Sequence, residues 1–467
     1  MKTIITYLSL VIGLTFCFSQ SPLQEPNGGE YNFNPPQESC LTDQQRTLIE
    51  QETSSGIALL KSQNRLAYNE TNRGTHPLFI WPVKKSSSSS YNEIYGVSNY
   101  VDHNTSFPDQ LTDYNCGARS YDTTSGYNHQ GLDIYSWPFG WYLMDNDEVE
   151  IIAGAPGQII AKNDGNFDRS CDFSTTTPWN AVYIQHSDGS IAWYGHLKNG
   201  SLTSKNIGDM VSEGEFLGVM GSSGVSTGPH LHFEVYTDAN YTQLVDPYAG
   251  TCNTMNTESW WQTQRPYNSP GINAVITHSA PPVFNACPTT ETTNESDSFD
   301  NADNIYFAFY LRDQVAGSSI NLKITRPDNS TLYNWNFDLN NDFYSSYFYW
   351  NFSGVFAMSG EWTWEATYFG ETVSHSFNVG SLSIEEESIE NTSIYPNPVT
   401  DALQIDTTVK ITNATIIDVT GKSVLEINNQ NSNGIESIEL TNIAKGMYFL
   451  SLRGESGETK ILRFIKN

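Results

Sequence analysis

The chain reads as a mainly β protein built from three β regions in series. Aromatic residues make up 13% of its 467 residues, with 26 Tyr, 23 Phe and 11 Trp, types that favour half-buried pleated surfaces. From about His76 onward, short alternating runs recur between Gly and Asn turns, and helix signals are scarce. The length exceeds one ordinary domain, since roughly 100–200 residues per domain implies two to four.

Taken in order, residues 1–20 have a positive start at Lys2 and an apolar stretch from Ile4 to Phe18. That stretch is short for a membrane span and is expected to be a secretory signal peptide. Residues 21–75 form an N-terminal segment. In it Thr42 and Gln45 make a capping box, and Leu48, Ile49, Ile57, Leu59 and Leu60 give a helical stripe that Gly56 weakens. The segment is expected to be a pro-region or an arm packed on the neighbouring domain.

The first β region, 76–250, contains the expected strands Val149–Ala153, Gly157–Ala161, Ala181–His186, Ile191–His196, Glu215–Met220 and Leu231–Tyr236, with a hairpin turn at Ser187–Ser190. The second, 272–380, has five or more short alternating strands and is expected to be a β-sandwich, its role unassigned. An acidic linker, 381–391, centres on Glu385-Glu386-Glu387. The last region, 392–467, is again a run of alternating strands.

The formal charge of −29 sits in the body: residues 1–390 hold 44 acidic and 16 basic side chains, the remainder 8 and 7. Such a surface excludes nucleic acid as a partner and opposes docking on anionic lipid. No segment beyond the leader is apolar enough for stable membrane insertion. Export permits disulfides. Removing Cys17 leaves five cysteines, so at least one is unpaired. Cys116–Cys171 and Cys252–Cys287 are the expected pairs.

Four histidines and an aspartate carry the chemistry. His230 and His232 stand two apart in an alternating run, so both project from one face of a strand. His129 and Asp133 lie where a loop enters a strand, and Gly195-His196-Leu197 supplies a further imidazole. Catalytic zinc sites use three such N and O ligands and keep one position open. Asp164-Gly-Asn166-Phe-Asp168 has part of a calcium-loop pattern without its remaining ligands.

His129-Gln-Gly-Leu-Asp133, Trp193-Tyr-Gly-His196-Leu197 and Ser226-Thr-Gly-Pro-His230-Leu-His232-Phe-Glu234 together resemble the M23 family of zinc metallopeptidases, the lysostaphin- or LytM-type endopeptidases. The resemblance covers about Tyr127 to Asp246. It implies an antiparallel metallopeptidase fold, one Zn2+ per site held by His129, Asp133 and His232, and His196 and His230 as the catalytic pair. His230 is the preferred base for the attacking water and His196 the stabiliser of the carbonyl oxygen, with the roles exchangeable. The sequence departs from the family between Tyr135 and Glu150, where an insertion carrying Trp137 and Trp141 is read either as a cleft wall or as a surface loop.

Tyr395-Pro-Asn-Pro398, Asp418-Val-Thr-Gly-Lys422 and Gly446-Met-Tyr-Phe449 resemble the type A C-terminal sorting domain of type IX secretion substrates. This implies handling by the type IX machinery and a secreted or cell-surface location. The resulting expectation is a secreted zinc endopeptidase acting on peptidoglycan cross-links. The alternatives are a protease of Gly-rich extracellular proteins and a non-catalytic wall-binding or regulatory protein on the same fold.

Overall fold

Period-two alternation in these runs places one face of each strand in a core, and the computed structural model of the chain shows the sheets that result. It describes all residues except 1–23, 34–38, 70, 72–73, 172–176, 285–289, 381–388, 390–391, 429–433 and 456. The expected leader and nearly all of the linker therefore lie outside the described residues. Contacts divide the chain into two units, 1–380 and 381–467.

In chain order the first unit begins with strand β1 (Asn27–Glu30) and helix α1 (Asp43–Ser62). It continues through β2 (Val83–Lys85), β3 (Tyr95–Asn99), β4 (Leu132–Ser136), helix α2 (Gly140–Asp145), β5 (Val149–Ile152), β6 (Gly157–Asn163), β7 (Ala181–Gln185), β8 (Ile191–Gly195), β9 (Met210–Val211), β10 (Phe216–Val219), β11 (His230–Tyr236) and β12 (Leu244–Val245). An antiparallel sheet runs β3-β4-β11-β8-β7-β6-β9, with β12 also on β11, and a second runs β10-β5-β2. β4, β7, β8 and β11 are buried along their whole length, because the sheet is covered on both faces.

The sandwich comprises β13 (Gly271–His278), β14 (Ser298–Phe299), β15 (Ile305–Gln314), β16 (Ser318–Thr325), β17 (Thr331–Leu339), β18 (Phe343–Phe352), β19 (Gly360–Tyr368) and β20 (Glu371–Val379). Its sheets, β1-β18-β15-β13 and β14-β20-β19-β16-β17, enclose Trp335, Trp350, Trp362, Trp364 and a set of Phe rings. The N-terminal strand β1 is thus an edge of this sandwich, paired from Asn27↔Tyr349 to Glu30↔Ser346.

The insertion after Tyr135 is packed into the fold rather than carried as a surface loop, and only its Asp145–Asp147 tip is exposed. Trp137 is fully buried and its indole N–H donates to Leu311 O of β15 at 3.1 Å, while α2 comes at once after it. An indole that large must be buried, and its N–H needs an acceptor; here the sandwich supplies both.

Cysteine pairing also differs from expectation. Cys116 pairs with Cys252 across 136 residues, with Cα atoms 5.1 Å apart. The reason is aromatic packing. Tyr114 stacks on Tyr248 at 4.6 Å, and Cys252 N donates to Tyr114 O at 2.9 Å, which lays the two cysteine loops together. Neither expected pair forms, since each of them uses one of these two cysteines. Cys171 is disulfide-bonded as well. Among the described residues Cys40 is the free thiol, and it is buried.

The second unit has strands Ser393–Tyr395, Ala402–Asp406 and Ser437–Glu439 in one sheet. Ser423–Asn428, Ile411–Asp418, Gly446–Gly454 and Thr459–Lys466 form the other. Leu403, Ile416, Leu450 and Phe464 fill a common core, so the unit is a small sandwich. Among the described residues no helix is long and apolar enough to cross a membrane.

Candidate metal centre

The five residues singled out in the sequence meet at the N-terminal end of β4, the start of β11 and the end of β8. The register sets His232 beside Asp133 on one side and beside Gly195 on the other, so His196 comes directly after. His129 stands in the loop before β4, fixed by hydrogen bonds from its own N to Tyr121 O at 3.0 Å and from Asp102 N to its O at 2.8 Å.

Each imidazole has one nitrogen committed and one directed inward. His129 Nδ1 donates to Tyr100 O at 2.8 Å, leaving Nε2 at 3.0 Å from Asp133 Oδ2 and 3.4 Å from His232 Nδ1. His232 Nε2 donates to Glu234 Oε1 at 2.8 Å, leaving Nδ1 at 2.7 Å from Asp133 Oδ1. Asn99 Nδ2 donates to Asp133 Oδ2 at 3.1 Å. One donor atom from each of His129, Asp133 and His232 lies within 4.8 Å of the others, and all three residues are buried. Two ring nitrogens and a carboxylate, each oriented by a second partner, fit a divalent transition metal.

His196 and His230 face each other with ring centroids 4.3 Å apart. His196 Nδ1 donates to Ser223 O at 2.6 Å and His230 Nδ1 to Gly228 O at 2.9 Å. Both neutral rings therefore present an accepting Nε2. His230 Nε2 lies 3.9 Å from Asp133 Oδ1, and His196 Nε2 is buried with no hydrogen-bond partner. His196 has φ +63°, a left-handed conformation that a residue with a Cβ adopts only at a cost. The preceding Gly195 lies against the Trp179 indole, which a Cβ would strike at 2.5 Å.

Electrostatics follow from burial and from neighbours. Burial holds His196 well below the usual histidine range, and the adjacent His230 and His232 act in the same direction. Burial also lowers His230, with Asp133 working against it. Burial would raise Asp133, yet His129 and His232 hold its carboxyl well below the ordinary value. For Glu234 burial is likewise outweighed, by Arg46, and its carboxyl is lowered.

Several residues at this centre carry no signal of their role in the sequence. Glu234 was visible only as the end of the His-x-His string. Arg46, on α1, holds it with two bonds of 2.8 and 3.0 Å. Cys40 Sγ sits 3.9 Å from His232 Nδ1 and 3.4 Å from Tyr127 OH. The odd cysteine count was the one signal that pointed to it. The Asp164–Asp168 segment is spent on the backbone instead: Asp164 Oδ1 accepts from Gly200 N and Asp168 Oδ2 from Asn199 N.

Residues 143–247 match the model of Peptidase family M23, and residues 393–467 match that of the Secretion system C-terminal sorting domain. The chain carries a family M23 peptidase domain. The M23 match includes His196, His230 and His232 and begins after His129 and Asp133. An uncharacterized metalloprotease of Buchnera aphidicola is 44% identical over 108 residues, which cover 23% of this chain and 23% of that protein. The glycyl-glycine endopeptidase ALE-1 of Staphylococcus capitis is 29% identical over 116 residues, 25% of this chain and 26% of that one. The peptidoglycan DD-endopeptidase ShyC of Vibrio cholerae is 42% identical over 55 residues, 12% of each. The matched stretch thus spans about a quarter or less of these relatives. The sorting domain marks the chain for type IX secretion and an extracellular or cell-surface destination.

Proposed function

We propose that this protein is a secreted zinc metalloendopeptidase that hydrolyses peptide bonds of peptidoglycan cross-links, its catalytic residues carried by the 76–250 region. The observation that carries the reading is the convergence of His129 Nε2, Asp133 and His232 Nδ1 beside the facing His196–His230 pair. His129, Asp133 and His232 are the zinc ligands. When bound, zinc acidifies a coordinated water towards neutrality and polarises the scissile carbonyl.

His230 Nε2 accepts the proton of the attacking water, since its Nδ1–H is fixed on Gly228 O. The imidazolium so formed supplies that proton to the departing amine. His196, 4.3 Å away ring to ring, stabilises charge on the carbonyl oxygen as an imidazolium, its Nε2 protonated from solvent and its Nδ1–H kept on Ser223 O. Asn99 and Glu234 keep Asp133 and His232 oriented.

The substrate class rests on relatives named for peptidoglycan and glycyl-glycine cleavage. Purified sacculi and a Gly-rich protein are incubated with the mature chain, before and after limited proteolysis in the largely exposed Gln63–Asn69 stretch. Release of muropeptides that stops with chelator and with His232→Ala is expected. Activity insensitive to both removes the metal assignment, wild-type rates in His230→Ala remove its role as base, and cleavage of the Gly-rich protein alone moves the substrate to that class.

A further inference from the structure

A peptidase centre must admit a polypeptide, yet His129, His196 and His232 are 0% exposed and His230 is 6% exposed. What covers them is the chain's own N-terminal arm. After β1 leaves the edge of the sandwich, Phe33 stacks on Tyr135 at 4.6 Å and sets its ring edge-on to His230 at 5.7 Å. It also closes on Gly228, where a Cβ would come within 3.0 Å of the Phe33 ring. Cys40 lies at the ligand cluster, and α1 follows it.

Cys40 does not approach as an isolated thiol. Its Sγ, His196 and His232 offer ligand atoms within 4.8 Å of one another, a second metal-holding group that shares His232 with the first. The buried His196 Nε2, unpartnered, is directed into the same space. α1 locks the arm in place. Arg46 makes a bidentate ion pair with Glu234, the carboxylate that orients His232. Thr53 Oγ1 shares a 2.5 Å hydrogen bond with Tyr241, and Gly56 lies so close to Ile160 O that a Cβ would stand 1.8 Å from it.

We infer that Cys40 is a fourth protein ligand of the metal centre, and that Cys40 with Phe33 and α1 forms a latency element whose thiolate fills the position the substrate and attacking water need. The inference rests on the metal assignment proposed above. A catalytic site needs that position open. The thiol binds by losing its proton to solvent, and release requires only that the metal–sulfur bond be exchanged for water as the arm departs. Residues Gln63–Asn69, exposed except at the half-buried Leu66 and Tyr68, join α1 to the rest of the chain and are where a cut would free the arm.

The test uses the full mature chain loaded with Co2+, with Cys40→Ala and Cys40→Ser beside it. The wild type is expected to show a near-ultraviolet thiolate-to-cobalt charge-transfer band that both variants lack. In the wild type the band should also vanish on clipping within 63–69, a reading that needs no variant to fold. With zinc, either variant should hydrolyse sacculi roughly tenfold faster or more than the unclipped wild type, as expected when an occluded fraction is freed. Cobalt bound without a thiolate band overturns the role of Cys40 and leaves the His129–Asp133–His232 centre standing. No cobalt binding by any form overturns both. A band with no gain in rate for either variant overturns the latency role alone.

Discussion

At the scale of single residues, the proposed metal centre depends on side chains outside its ligand set. Glu234 is fully buried, accepts from His232 Nε2 at 2.8 Å, and is balanced by Arg46 and by the Tyr236 hydroxyl at 2.8 Å. Removing it frees the His232 ring to rotate and leaves Arg46 largely buried without its partner. Glu234→Ala is expected to weaken metal binding by about 10–100-fold, measured by competition with a chromogenic chelator. Glu234→Gln, which keeps an acceptor for His232, should fall between it and the wild type. Equal affinities in all three would mean that the ring is held by the strand alone. That His129, Asp133, His196, His230 and His232 belong together was legible in sequence, because each stands in a short motif whose spacing is local. Arg46 and Cys40 were not, since their partners lie 188 and 192 residues away.

At the scale of elements, α1 and α2 show how local signals meet tertiary demands. The capping box of Thr42 and Gln45 forms as the sequence indicates. Gly56, read there as a weak point in the helix, is instead the place where α1 touches the β6 backbone, which no larger residue permits. The short helix α2 is capped from another region altogether: Glu291 Oε2 accepts from Trp141 N at 2.9 Å and Tyr142 N at 3.0 Å. Burial raises the Glu291 carboxyl to about 7, the two backbone N–H groups offsetting only part of the effect. A raised folded-state value contributes stability that is complete below the unfolded value and is lost as pH rises through about 7. Glu291→Gln should therefore gain stability relative to the wild type between about pH 5 and 8, by on the order of 2 kcal/mol. Denaturant unfolding at several pH values reads this, and a constant difference between the two proteins would refute it.

At the scale of the molecule, the peptidase sheet and the sandwich share a core. Ala274, Ile276, Ala308 and Tyr310 of the sandwich pack in the same cluster as Leu132, Ile134 and Phe233. Asn273 Nδ2 donates to Tyr95 O and Trp137 O, both at 2.9 Å, and the buried Arg119 pairs with Asp313 at 2.9 Å. A fragment of residues 76–250 would expose this apolar face and leave Arg119 without its carboxylate. It is expected to be insoluble or molten when expressed alone, whereas residues 24–380 should melt in one transition by calorimetry. A soluble, cooperatively folding 76–250 fragment would contradict that expectation.

The sequence by itself indicated many of the strands, because alternation of residue types is a property of neighbours, although β4, β7, β8 and β11 are buried on both faces. It also pointed to the C-terminal sorting region and to the five residues that the fold brings together, both written in contiguous motifs. Only the tertiary structure decided what lies over the centre and which cysteines pair. Those contacts close loops of more than a hundred residues. Their choice follows from strand register and from the packing of large aromatic side chains, which no local pattern encodes.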